Sequence, residues 1–418
     1  MAETMHALVY HGTNDLRLEE RPLPQIQDPR DAIVKVELSS ICASDLHIRN
    51  GAVPRALPGT VLGHEFVGEV VATGSEVRKV RPGQRVAANV ETFCGTCWFC
   101  RQGYVNNCRH GGWELGCRID GCQTEYVRVP FADNGLDPIP DSLSYQDVLL
   151  VGDVLASGYF GAELAAIRPG DSVAVLGAGP VGLCAMQCAR LFGPAQVIAV
   201  DILPSRLQLA QERGYADLTI DAAADDVEAR ILDATGGLGA DAVIECAGGH
   251  DTFQTAWKVA RPNATVAVVA MYEEAQSLPL HLMYGKNLTF RTGGVDATHS
   301  AELIRLIERH QPAHHPQPAP EQDPGGLPHL RTATGRLHQV RHHALEALIA
   351  SDFRTQGPCG ALFFMDPGCL APLSAFRSGA GEYRLSAEKR KMDLPRDSTS
   401  VYAVYIREAA PCRSRQTV

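Results

Sequence analysis

The sequence has no excess of positive charge. Lys and Arg total 38 against 48 Asp and Glu in 418 residues, a formal net charge of −10. Without a basic footprint, a nucleic-acid backbone and an anionic membrane surface are excluded as natural partners. Long apolar runs are missing too: the longest nearly apolar stretch, Val173 to Met186, holds 14 residues and is broken by glycines and a proline. A bilayer span needs roughly 20. Met1 to Tyr10 lacks a basic segment followed by an apolar block and a small-residue cleavage site, so a secretory leader is not expected and the cytoplasm is the expected compartment. No internal repeat is found. What remains is 45% hydrophobic and 21% charged, enough to bury the cores of two or three domains and suited to a small-molecule substrate.

Cysteine is not scarce. There are 13, and four of them bunch as Cys94-x2-Cys97-x2-Cys100-x7-Cys108 rather than pairing at a distance. In a reducing compartment that spacing points to metal before disulfide, because a tight loop can close four thiolates into a tetrahedron around zinc. With all four positions filled by protein, such a site is structural.

Up to about residue 150 the chain reads as short β-rich pieces, Ala32–Leu38, Val61–Ala72 and Gln84–Val90, separated by Pro and Gly. From Ser172 buried apolar strands (Val173–Leu176, Val197–Val200, Ala242–Glu245, Thr265–Ala270, Leu288–Thr292) alternate with helical patterns such as Val181–Leu191 and Ser205–Glu212. That alternation predicts an α/β domain with a doubly wound parallel sheet. The expected division is residues 1–155, 156–309 and an atypical 310–418, with the boundary at the helical stretch Ser157–Ile167. The window His310 to His329 packs six prolines and four histidines into 20 residues and reads as a loop or disordered stretch. Beyond it a helix at Ala344–Ile349 and a strand at Ala361–Met365 are expected. The composition shift leaves two origins for 310–418, an evolved extension or a change of reading frame.

Two more constellations carry chemistry. Cys42 in Cys42-Ala43-Ser44-Asp45-Leu46-His47, His64 in Gly63-His64-Glu65, and Asp153 together offer a thiolate, an imidazole and a carboxylate. Three protein ligands with a fourth position open are what a catalytic zinc requires; singly, the same residues also read as a packed thiol, a core histidine and a helix cap. The glycine-rich turn Gly177-Ala178-Gly179-Pro180-Val181-Gly182 follows an apolar strand and opens a helix, with Asp201 placed 19 positions beyond Gly182. Such glycines allow a tight turn and close backbone approach, and the helix N-terminus faces a pyrophosphate. Asp201 would accept both ribose hydroxyls and repel a 2′-phosphate, favouring NAD over NADP; the other reading of Asp201 is a cap for the helix at Ser205.

Together these constellations resemble the zinc-dependent medium-chain dehydrogenases, the family of alcohol, sorbitol and threonine dehydrogenases. The stretch Gly63-His64-Glu65-x2-Gly68-x5-Gly74-x2-Val77 is similar to that family's zinc signature at every fixed position, and the likeness runs over about residues 5–309. The resemblance implies a GroES-like catalytic domain beside a Rossmann domain, two zinc ions per chain and NAD as coenzyme. It implies that Cys42, His64 and Asp153 hold catalytic zinc, with Glu65 as a neighbouring or exchangeable ligand and Asp45 orienting the His64 ring. Ser44 and His47 fall where the family keeps its proton relay, and Arg206 where a basic residue meets the adenosine ribose, although a solvated helix face is its other reading. A homodimer or homotetramer is implied if the C-terminus permits, and Ala344–Pro367 faintly echoes the segment that returns to the catalytic domain.

The expected activity is hydride transfer between a primary or secondary alcohol, including a polyol or hydroxy amino acid, and NAD. The alternatives are a non-catalytic nucleotide-binding module on the same fold, and a zinc-free enone reductase. Pocket walls are expected from Ile48–Arg55, Trp113–Gly116 and the region after Met271.

Overall fold

The computed structural model describes residues 4–310 and 402–404. Strand β1 (Thr4–Gly12) pairs antiparallel with β2 (Asp15–Pro22) through a turn at Asn14, which takes a positive φ of 58°. A second sheet centres on β3 (Ala32–Ile41). It is joined on the order β3-β5-β6-β8 by β5 (Glu65–Thr73), β6 (Arg85–Ala88) and β8 (Leu136–Pro138), while β7 (Tyr126–Val129) pairs with β3, and β4 (Thr60–Val61) pairs with β1. The apolar stretch expected as one piece over 61–72 is therefore two strands. The chain turns at Gly63, whose φ is +95° and where a Cβ would lie 2.6 Å from the Gln123 side chain. That break lets His64 leave the ladder before β5 resumes at Glu65.

The nucleotide-type unit is a six-stranded parallel sheet in the order β11-β10-β9-β12-β13-β14, built from β9 (Ser172–Leu176), β10 (Gln196–Asp201), β11 (Leu218–Asp221), β12 (Ala240–Glu245), β13 (Ala260–Val268) and β14 (Thr289–Thr292). Its central strands read as continuous apolar runs because helices cover both faces. The helices Pro180–Arg190 and Pro204–Glu212 each begin with proline in the first turn, where a missing N–H costs nothing. The sheet order reverses between β9 and β12, leaving a crevice at the carboxyl ends of the strands. A last strand, β15 (Tyr402–Val404), pairs antiparallel with Ser39–Ile41 of β3. Periodicity alone had assigned no strand there, because three residues are too few to show one. The expected helix at 344–349 and strand at 361–365 lie outside the described residues, as does nearly all of 311–418.

Between the two sheets the chain runs through a π-helical turn, Val151–Leu155, directly into the helix Ala156–Leu164. That helix stops earlier than expected, since Ala166 adopts a positive φ of 52° ahead of Arg168-Pro169. One buried cluster contains Leu38, Val67 and Val90 from the β-rich side, Val151, Val154 and Leu155 from the turn, Val175 and Ile244 from the parallel sheet, and Ala185 from the helix Pro180–Arg190 that covers it. Continuous apolar packing across the boundary sets the two units against each other rather than leaving them on a hinge of water. Among the described residues no helix is long and apolar enough to cross a membrane.

Candidate active site

Three segments far apart in sequence converge on one point. Cys42 precedes the helix Ala43–Arg49, His64 and Glu65 lie at the start of β5, and Asp153 sits in the π-helical turn. One ligand atom from each of Cys42, His64, Glu65 and Asp153 lies within 4.8 Å of all the others. Asp153 Oδ2 is 3.5 Å from Cys42 Sγ and 3.3 Å from His64 Nε2. The turn carrying Asp153 reaches the cluster only because residue 152 is glycine: a Cβ there would stand 1.8 Å from the carbonyl oxygen of Ala88.

The surroundings make these donors strained without a cation. Burial and the neighbouring Asp153 charge push Glu65 up to about 8, and burial with Glu65 and Asp153 raises the Cys42 thiol well above its ordinary range. Burial alone would lower His64, but the Asp45 and Asp153 carboxylates carry it up to about 9. Glu65 Oε1 is buried without a hydrogen-bond partner. A soft thiolate, an imidazole and carboxylates gathered in a dry site are the donor set of zinc, and a divalent ion relieves the repulsion burial has enforced. The residues fit that group.

Supporting contacts surround the cluster. Asp45 accepts from the Cys42 amide at 3.0 Å and from Gln123 Nε2 at 3.1 Å, and its Oδ1 lies 3.7 Å from His64 Nδ1, a charge contact longer than a hydrogen bond. Ser157 donates to Asp153 Oδ1 at 3.2 Å, and Ser40 donates to Glu65. Trp113, one of the expected pocket residues, stands edge-on to the His64 ring with centroids 5.6 Å apart. Sequence reading missed Ser40, Gln123 and Ser157. Only Ser157 left a signal, being four residues after Asp153 at helical spacing.

Ser44 and His47 share the helix that follows Cys42, yet they face different partners. Ser44 Oγ lies 3.2 Å from His64 Nε2 in the buried cluster, whereas His47 Nδ1 is 2.6 Å from Glu273 Oε1.

Cys94, Cys97, Cys100 and Cys108 form a second group with all four sulfurs within 4.8 Å of one another. Sulfur pairs stand 3.5 Å (Cys97–Cys100), 3.6 Å (Cys94–Cys108) and 3.9 Å (Cys94–Cys100) apart. No disulfide joins them. A tetrahedral zinc with Zn–S bonds of about 2.3 Å holds its sulfurs about 3.8 Å apart, so the lobe already has the dimensions of a four-thiolate site. Amides of Thr96 and Cys97 point at Cys94 Sγ, at 3.4 and 3.3 Å. Against the opposing effect of burial, they and the Thr96 hydroxyl hold that thiol down at about 6.

At the crevice of the parallel sheet, Gly177 takes a φ of +94°, and a Cβ on Gly182 would meet the Gly177 carbonyl oxygen at 1.8 Å. Gly179, Pro180, Val181 and Gly182 thus form the cap and first turn of the helix Pro180–Arg190, whose first-turn amides other than that of Pro180, which has no N–H, face an incoming anion. Asp201 ends β10, buried, and accepts from the Ala178 amide at 2.6 Å and the Leu203 amide at 2.9 Å. The cap of the following helix is Leu203 itself, so Asp201 ties the glycine turn to the strand end rather than capping a helix. Arg206 Nη1 lies 3.7 Å from Asp201 Oδ2.

Comparison with known proteins agrees with this geometry. Residues 28–141 match the alcohol dehydrogenase GroES-like domain and residues 180–309 the zinc-binding dehydrogenase domain. Zinc-type alcohol dehydrogenase B of Aspergillus flavus is 37% identical over 296 residues, covering 69% of each chain. The NADP-dependent isopropanol dehydrogenase of Thermoanaerobacter brockii is 34% identical over 69% of this chain and 83% of its own. Among solved structures, the alcohol dehydrogenase TADH from Thermus sp. ATN1 superposes with a TM-score of 0.67 at 36% identity, covering 73% of this chain and 89% of that one. With a GroES-like sheet, a parallel nucleotide-type sheet and a buried zinc donor set between them, the chain belongs to the zinc-dependent medium-chain alcohol dehydrogenase family.

Proposed function

We propose that this chain oxidises a small primary or secondary alcohol with NAD as acceptor, and reduces the corresponding carbonyl in reverse. Catalytic zinc is held by Cys42, His64 and Asp153 with Glu65 alongside, and a second, structural zinc by Cys94, Cys97, Cys100 and Cys108. The observation that carries the reading is the meeting of Cys42, His64, Glu65 and Asp153 within 4.8 Å, beside Ser44. A nucleotide-binding module would need none of those donors, and a zinc-free reductase would have no use for them.

When bound, zinc supplies Lewis acidity that releases a hydroxyl proton near neutral pH, and the nicotinamide supplies the hydride acceptor. The chain's own residues do the rest. Ser44 stands next to the donor cluster and takes the hydrogen bond of the substrate hydroxyl; His47, one turn on, is the group able to carry a proton to the surface. Asp45 holds the Cys42 amide, so the thiol and the imidazole it faces share one support. The Gly177–Gly182 turn receives the pyrophosphate, and Asp201 favours unmodified ribose hydroxyls.

Absorbance at 340 nm with NAD and a panel of secondary alcohols, polyols, β-hydroxy amino acids and primary alcohols tests the reading. A signal on one class is expected from the zinc-replete protein, and Cys42→Ala is expected to abolish it while NADH binding persists. Undiminished turnover in Cys42→Ala would overturn the ligand assignment.

A further inference from the structure

His47 belongs to the β-rich unit and Glu273 to the segment that follows β13 in the parallel-sheet unit, yet the two side chains meet. They are 226 positions apart in sequence and form a hydrogen bond of 2.6 Å between His47 Nδ1 and Glu273 Oε1. His47 retains 23% of its side-chain exposure and Glu273 retains 45%, so the pair is open to solvent, unlike the buried donor cluster.

An ionised carboxylate only accepts hydrogen bonds. Nδ1 of His47 must therefore carry the proton in this pair, which leaves Nε2 of the neutral ring with its lone pair free. That is the tautomer a proton acceptor needs, and a histidine in water does not favour it. The charged groups on the histidine's own helix are engaged elsewhere: Asp45 is turned inward to the Cys42 amide and Gln123, and Arg49 donates to Asn50 Oδ1 at 3.1 Å. The helix end is fixed as well, because the carbonyl of His47 accepts from the Ala52 amide at 2.9 Å.

We propose that Glu273 is a positioning residue for proton transfer, holding His47 as the Nδ1–H tautomer so that Nε2 accepts the proton leaving the site. This rests on the reading of Ser44 and His47 as the proton path. The balance is simple: one proton arrives at Nε2, the Nδ1–H bond to Glu273 is kept, and the same proton leaves Nε2 to solvent. Glu273 steadies the imidazolium between those two events and takes up no proton itself. Because it comes from the other unit, the tautomer of His47 is set by how closely the segment after β13 approaches the helix Ala43–Arg49.

The test has two arms on the full-length, zinc-replete protein. In histidine-labelled protein, long-range 1H–15N correlation spectra assigned with His47→Asn report the tautomer without any turnover. The Nδ1–H form is expected in the wild type and the Nε2–H form in Glu273→Ala; an Nε2–H ring in the wild type overturns the proposal. In the kinetic arm, Glu273→Ala is expected to lower kcat about tenfold, a modest part of what proton-transfer groups contribute, with the KM for NAD changed less than threefold. Glu273→Gln, whose amide oxygen can still accept from Nδ1, is expected to recover part of that loss. In a His47→Asn background the alanine substitution is expected to cost nothing further. A full additional loss there, or an unchanged kcat in Glu273→Ala alone, would show that Glu273 does not act through His47. A wild type that oxidises no alcohol would count against the proposed function, and the spectra would still decide the tautomer.

Discussion

Gly152→Ala isolates a single contact next to the metal donors. Gly152 is not one of the glycines with positive φ, so alanine is conformationally acceptable there and only space is at issue. The added methyl would lie 1.8 Å from the Ala88 carbonyl oxygen, whereas carbon and oxygen rest at about 3.3 Å. The π-helical turn must back away from β6 by about 1.5 Å, against the hydrogen bond from the Val90 amide to the Gly152 carbonyl at 3.2 Å. Overpacking of this kind costs about 1–3 kcal/mol. Asp153 is the next residue, and a misplacement of about 1 Å at a reacting centre is enough for a loss of about 100-fold. Zinc per chain, urea unfolding, turnover at 340 nm and NADH fluorescence together give the assay. The expected result is turnover down by about two orders of magnitude and unfolding weakened by about 2 kcal/mol, with NADH affinity reduced far less than turnover because Gly152 is not part of the Gly177–Gly182 turn. An alanine variant with normal turnover and an unchanged unfolding midpoint would refute the close approach and its role in placing Asp153.

Two further outcomes follow from the other constellations. Cys97→Ser breaks the four-sulfur group, and zinc per chain is expected to fall by one; a loss of about 2 kcal/mol would lower the melting temperature by about 4–8 °C, and an unchanged zinc content would show that this group holds no metal. Asp201→Ala is expected to reduce the ratio of kcat/KM for NAD over NADP by about tenfold, with Asp201→Asn, which removes the charge and keeps an acceptor for only one of the Ala178 and Leu203 amides, expected to fall between wild type and Asp201→Ala; an unchanged ratio would mean that another residue reads the ribose.

Much of this protein is legible in the sequence because it is local. The four cysteines close their group within a loop of 15 residues, so their spacing alone nearly specifies the geometry. The glycine-rich turn needs only the strand before it and the helix after it. Apolar strands alternating with helical patterns dictate a parallel sheet, since strands running the same way must be joined by crossovers. Where the reading slipped, a backbone detail was responsible: Gly63 splits one apolar stretch into two strands, and a positive φ at Ala166 ends a helix early.

By itself the sequence determined which residues could hold zinc and where a dinucleotide would meet backbone amides, because those requirements are written in residue type and short spacing. Only the tertiary structure decided that Cys42 and Asp153, 111 positions apart, come within 3.5 Å. It alone turned Ser44 toward His64 and set Glu273 against His47 from the opposite unit. The physical reason is the same in each case. Contacts across the boundary between the two sheets depend on how their shared core packs, and no periodicity along the chain records that.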